Sequence, residues 1–264
     1  NPHNPVIGVR SFGADTELAA RHSAAWVRGV QSTGIAACPK HFPGHGDTAQ
    51  DSHLALPIVD ASPELLVARD LPPFSAAIDA GALCIMTSHI LLPQIDPNGP
   101  ATFSTSILQG LLRGQLGFAG VIVSDALDMR GASGEIGIPE AAVRALTAGC
   151  DLLCIGTENT DDELAEIEAA VLRAITSNRL PAVRVHEAAA RVRALSSALP
   201  APVDELPAAG LAEAESSTAA SADFPGEDEV QRVLASFDGV PEAHAWLAAH
   251  PRATIARADT EANT

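Results

Sequence analysis

The residues with the most chemical potential crowd into one short stretch, Lys40 to His53, which reads K-H-F-P-G-H-G-D-T-A-Q-D-S-H. Three histidines, two aspartates and a lysine follow directly on the apolar run Gly34 to Cys38. Such a concentration of polar groups makes a poor core and a good site. Gly44 and Gly46 allow backbone angles that other residues avoid, and Pro43 fixes another, so the polar side chains sit on a shaped loop. Loops held by a rigid scaffold are where binding and catalytic groups concentrate.

Two kinds of chemistry fit this loop. His41, His45, Asp47, Asp51 and His53 are all possible metal ligands, but their spacings match neither H-E-x-x-H nor a paired Cys/His pattern, and no metal is expected. Asp51 and His53, two residues apart in an extended segment, point the same way. The carboxylate can then orient the imidazole and favour its protonated form, which makes the pair a proton-transfer device. Taken singly, either is by default a solvated loop residue, with Asp51 capping a helix. A further carboxylate, Asp125, ends the apolar run Val121-Ile122-Val123-Ser124. A charge there costs stability unless it is partnered or used; capping the next segment is its plainer role.

The elements that must position these groups alternate. Apolar strands are expected at Gly34–Cys38, Ala82–Thr87, Val121–Asp125 and Asp151–Ile155. Between and after them helical spacing appears from Asp15 or Thr16 to about Gln31, Ser62 to about Ala80, Ser104 or Thr105 to Gln115, Ile138 to Ala148, Asp161 to about Ser177, and Leu180 to Leu199. Nearly continuous apolar strands alternating with helices indicate a parallel sheet covered on both faces. Each strand leads into polar or small residues: Lys40-His41, Ser88-His89, Ser124-Asp125 and Gly156-Thr157. That rim carries the active site in a (β/α)8 barrel. An open doubly wound sheet would place ligands at the same ends, and composition does not separate the two.

The loop resembles the K-H-F-P-G-H-G-x4-D-S-H signature of glycoside hydrolase family 3, specifically its β-N-acetylglucosaminidase branch. Ser124-Asp125-Ala126-Leu127-Asp128-Met129 resembles that family's S-D-x-L-x-M nucleophile motif, and the similarity runs from about Asn4 to about Leu199. The resemblance implies an α/β fold of the (β/α)8 TIM-barrel type with only its C-terminal half, about four βα units, present as strands five to eight. The chain would thus be cut short before Asn1, and at its C-terminus as well. By resemblance Asp125 is the nucleophile, His53 the general acid/base and Asp51 its orienting partner. Arg10, in the segment Gly8-Val9-Arg10-Ser11, grips the sugar, with Lys40 and His41 holding hydroxyls. His45 is assigned to loop structure, and His89, on the rim, to a satisfied structural position ahead of substrate contact.

The implied reaction is removal of terminal β-linked N-acetylglucosamine from cell-wall or chitin-derived glycosides, with retention, through a covalent glycosyl-Asp intermediate and without a cofactor. A neutral imidazole base does not repel an incoming anion as a carboxylate does. Phosphate could therefore replace water, and a phosphorylase is the alternative. A third reading is an inactive, truncated remnant exposing unpaired strand edges and apolar surface.

Composition narrows the partners. Across 264 residues, 33 Asp and Glu against 16 Lys and Arg give a formal net charge of −17, which argues against binding nucleic acid, since that needs a basic face. A hydrophobic content of 47% suffices for a substantial core. No window approaches the roughly 18 consecutive apolar residues of a membrane span, and the N-terminus shows no basic-then-apolar signal, so a cytoplasmic location is expected. Cys38, Cys84, Cys150 and Cys154 lack paired spacing and read as buried free thiols. Residues 1–199 are assigned to the half barrel, 200–223 to an Ala/Glu/Pro-rich connector, and 224–264 to the possible start of a second α/β domain. The oligomeric state is left open.

Overall fold

Four extended segments run side by side and parallel, each separated from the next in sequence by helices. The computed structural model describes residues 1, 4, 6–49, 56–157 and 159–199. The readings made for 200–223 and 224–264, and the Asp51–His53 pair, lie outside the described residues.

Helix α1 spans Thr16–Gln31 and is capped by Asp15, whose carboxylate accepts from Leu18 N at 2.7 Å. The chain then passes alongside β1, Cys84–Met86: Cys84 N donates to Ala37 O at 3.3 Å, Met86 N to Pro39 O at 3.1 Å and Phe42 N to Met86 O at 2.8 Å. Strand β1 pairs in parallel with β2, Val121–Val123, in the register Cys84↔Val121 and Met86↔Val123. A bridge from Val123 to Leu152 adds the fourth segment. Only β1 and β2 form a regular ladder among the described residues, which is shorter than the strands expected. Pro39 brings no N–H to the first segment, so the ladder cannot continue through it.

Helices cover this sheet. Ile85 and Ile122 are fully buried among Ile107, Leu108 and Leu112, which lie on the helix Ser106–Gln115. Cys84, Val121 and Val123 face the opposite way, with Val192 and Leu195 packed against them. The helix expected from Ser62 to about Ala80 is interrupted. Helix α2, Pro63–Leu65, opens into a π-helical turn at Leu66–Asp70, and α3 restarts at Pro72–Asp79. Pro72 and Pro73 have no N–H to close the preceding turn, and Leu71 N reaches back to Leu66 O instead. Helices α4 (Arg130–Ser133), α5 (Ile138–Ala148), α6 (Asp161–Thr176) and α7 (Ala182–Ala198) complete the described chain.

At the N-terminal end of the sheet Asp151 is buried and holds α7 and the helix Ser106–Gln115 together. Its carboxylate accepts from Arg113 Nη2 at 2.5 Å, from Arg191 Nη1 at 3.1 Å, from Ile122 N at 3.0 Å and from Arg184. Among the described residues no helix is long and apolar enough to cross a membrane.

Candidate active site

The chemistry gathers at the other end of the sheet, where β2 runs out through the buried Ser124 into Asp125. The backbone here is held on both sides of the carboxylate: Asp125 N donates to Thr87 Oγ1 at 3.3 Å, and Ala126 N donates to Asp125 Oδ1 at 2.8 Å. The other carboxylate oxygen lies 3.7 Å from His41 Nε2, with the two side chains 14% and 10% exposed. Among the described residues no lysine or arginine forms an ion pair with Asp125.

His41 sits at the end of the first extended segment, where the peptide bonds Lys40–His41 and Phe42–Pro43 are cis. Burial pulls its pKa from the ordinary 6.5 down to about 3; Asp125 opposes that shift, while Lys40, His45 and Arg10 add to it. The imidazole is therefore neutral at pH 7, and the contact with Asp125 is that of a ring dipole with a carboxylate rather than an ion pair. Its Nδ1 is buried with no hydrogen-bond partner among the described residues.

The loop that follows is pinned from several directions. His45 is buried, with Nδ1 2.7 Å from Thr48 Oγ1 and its ring edge-on to that of His41 at 5.5 Å between centroids. Asn4 donates through Nδ2 to His45 O at 2.7 Å and to Gly46 O at 3.1 Å. Arg69 reaches both Asp47, at 2.8 Å, and Asp70, at 3.0 Å. Gly44 has φ 144°, and a Cβ there would stand 3.0 Å from Asp70 Cβ, so glycine lets the loop lie against the end of the π-helical turn.

Arg10, Lys40 and His41 line one cavity of about 590 Å³, together with Phe12 and Trp26. Asp125 is not part of that wall, though its carboxylate lies 3.7 Å from His41 Nε2. Arg10 is exposed and donates through Nη2 to Val6 O at 3.0 Å. A separate cavity of about 790 Å³ lies between the turn at Ala101–Phe103 and helices α4 and α5, lined by none of these site residues. Asp51 and His53 lie outside the described residues. Among the described residues no group of three His, Cys, Asp or Glu is placed to hold a metal ion.

His89 is not on the open rim. It is fully buried, with Nε2 2.9 Å from Ala126 O and Nδ1 2.9 Å from Thr102 Oγ1. Sequence reasoning passed over Thr87 and Thr102, which lie behind the site; Thr87, at a strand end two residues before His89, carried the available signal.

The chain belongs to glycosyl hydrolase family 3, matching the family's N-terminal domain over residues 1–195. It is 42% identical to a beta-hexosaminidase of Stenotrophomonas maltophilia over 160 residues, covering 61% of this chain and 48% of that protein. It thus spans about half the length of this curated relative. Among solved structures it is similar to a glycoside hydrolase family 3 beta-N-acetylglucosaminidase from Paenibacillus sp., with a TM-score of 0.73 and 42% identity over 79% of this chain and 40% of that one. It is also similar to a beta-glucoside phosphorylase, with a TM-score of 0.69 and 29% identity over 75% of this chain and 37% of the other.

Proposed function

We propose that this chain carries the nucleophile-bearing half of a (β/α)8 barrel in a retaining β-N-acetylglucosaminidase. The observation that carries the proposal is Asp125, a carboxylate at the C-terminal end of a parallel strand, beside a neutral His41 and with no cation paired to it among the described residues. A charge so placed is free to attack carbon. The parallel order of the four extended segments and the polar residues at their shared end support the barrel. The names of the similar proteins support the substrate.

In this reading Arg10, Lys40 and His41 hold the terminal sugar. Asp125 attacks the anomeric carbon while protonated His53, oriented by Asp51, gives its proton to the departing oxygen. The bond between carbon and the leaving oxygen breaks as the bond to Asp125 forms. Neutral His53 then takes a proton from water, whose oxygen displaces Asp125 with net retention. Attack by phosphate in place of water is a second reading, favoured by the similarity to a β-glucoside phosphorylase.

The test is release of nitrophenol from a nitrophenyl N-acetyl-β-glucosaminide, by this chain and by Asp125→Ala and His53→Ala, with and without phosphate. Release abolished by both substitutions supports the assignment. Acceleration by phosphate, with a sugar phosphate as product, selects the phosphorylase. Release that persists in Asp125→Ala removes the nucleophile.

A further inference from the structure

Behind Asp125 lies a closed circuit of hydrogen bonds that the proposed reaction does not use. Asp125 N donates to Thr87 Oγ1 at 3.3 Å, and Thr87 Oγ1 lies 2.8 Å from Thr102 Oγ1. Thr102 Oγ1 lies 2.9 Å from His89 Nδ1, and His89 Nε2 lies 2.9 Å from Ala126 O. The circuit leaves the backbone at the amide of Asp125 and returns at the carbonyl of the next residue. Thr87, Thr102 and His89 are each fully buried, so water does not compete for these bonds.

The need to satisfy every buried donor and acceptor selects the direction. A carbonyl oxygen only accepts, so His89 Nε2 carries a proton. Burial drives the His89 pKa down, with Asp125, the Ala126 carbonyl and Asp128 opposing, so the ring is neutral and its Nδ1 can only accept. The Thr102 hydroxyl lies 2.9 Å from both that Nδ1 and Ser88 O; Ser88 O already accepts from Thr102 N at 3.2 Å, so giving the hydroxyl proton to Nδ1 is the arrangement that leaves no buried group without a partner. The Thr87 hydroxyl donates to Thr102 Oγ1 and accepts from the Asp125 amide. Every group in the circuit then has a partner, as buried polar groups require, and hydrogen bonds in such a chain reinforce one another.

We infer that His89, acting through Thr102 and Thr87, is a positioning residue that clamps the backbone on both sides of Asp125 and so sets the direction of its carboxylate. Cα of Asp125 lies within the segment bounded by the two anchored groups, and its Oδ1 is already tied to Ala126 N at 2.8 Å. Rotation of the 125–126 peptide would therefore swing the carboxylate away from its aim. The role rests on Asp125 being the nucleophile. The clamp itself, as a piece of hydrogen-bonded geometry, does not.

The experiment has two arms on the full chain. In the first, His89→Phe, which keeps bulk but removes both hydrogen bonds, and His89→Gln, which keeps a donor and an acceptor, are assayed on the nitrophenyl glycoside beside Asp125→Ala. A shift of a few tenths of an ångström in a reacting group is expected to lower kcat in His89→Phe by about 10- to 100-fold, with KM within about twofold, and His89→Gln to recover most of it. A rise in KM with kcat intact overturns the positioning role, as does equal activity in both variants. In the second arm, 15N-histidine NMR reads the ring without needing turnover. His89 is expected as the Nε2–H tautomer at pH 7, with an Nδ1 signal that moves when Thr102→Val removes its donor. A proton found on Nδ1, or an Nδ1 signal indifferent to Thr102→Val, overturns the clamp. Should the chain release no nitrophenol, or Asp125→Ala remain active, the proposed function fails while the NMR arm still decides the clamp.

Discussion

Asp151 and Asp125 are shielded aspartates at opposite ends of the same short sheet, and they have been given opposite surroundings. Asp151 accepts from Arg113, Arg184, Arg191 and the Ile122 amide, and its side chain is fully buried. Asp125 accepts from the Ala126 amide, faces a neutral imidazole at 3.7 Å and is 14% exposed. A carboxylate surrounded by guanidinium groups spends its charge on the fold, because each bond it makes lowers its tendency to attack anything else. One held by a single backbone donor and a neutral ring keeps its charge available. Burial alone therefore does not separate a structural carboxylate from a candidate nucleophile; the partners differ.

The contrast can be broken most directly by neutralising each aspartate in turn. Asp125→Ala is expected to lower turnover by on the order of 10³- to 10⁴-fold and to leave the urea midpoint unchanged or slightly raised. Asp151→Asn strands buried arginines and is expected to cost about 3–5 kcal/mol of stability, read from the same urea titration. An Asp151→Asn variant as stable as the parent would show that the arginine cluster does not hold the sheet.

Acid sharpens the difference next. The unfolded chain protonates the His41 position near pH 6.5, whereas the folded chain resists until about pH 3. The unfolded state thus binds the extra proton within that window, and stability is expected to fall as pH drops from 6.5 towards 3. His89 contributes in the same direction. Urea midpoints between pH 7.5 and 4 should decline less steeply in His41→Gln than in the parent; parallel curves would contradict the burial argument.

Smaller effects test how the rim is shaped. Gly156 has φ 121°, and a Cβ there would run into the Asp128 carboxylate. Gly156→Ala is expected to cost about 1–3 kcal/mol, measured by thermal unfolding, with part of the loss recovered when Asp128→Ala is added. The smallest effect belongs far from the site. Thr160 caps α6, accepting from Glu163 N at 3.3 Å while the Glu163 carboxylate accepts from Thr160 N at 2.8 Å. Thr160→Ala should cost about 1 kcal/mol and leave turnover untouched.

How much of this was legible in the sequence varies with how local the cause is. Pro139 at the start of α5 and Gly149 after its end bound that helix on the residues expected, because both act on their own backbone. Pro72 and Pro73 were equally visible, yet their consequence, a widened turn at Leu66–Asp70, depends on how the preceding helix redistributes its hydrogen bonds. The convergence of His41 on Asp125 joins residues far apart in the chain, and no periodicity encodes it; only motif resemblance had placed both at one site. His89 was visible as a satisfied structural histidine, and it is one; its link to Asp125 through Thr102 and Thr87 was illegible, because it exists only once the fold brings Ala101–Phe103 against the end of β1.

The measurement closest to the central claim is covalent trapping. The chain is incubated with a 5-fluoro N-acetylglucosaminyl fluoride, which forms the glycosyl-enzyme faster than it is hydrolysed, then digested and read by peptide mass spectrometry. The account predicts one added sugar on the peptide that contains Asp125, absent in Asp125→Ala. A sugar carried by a different residue, or turnover of the reagent with no covalent adduct, would contradict it.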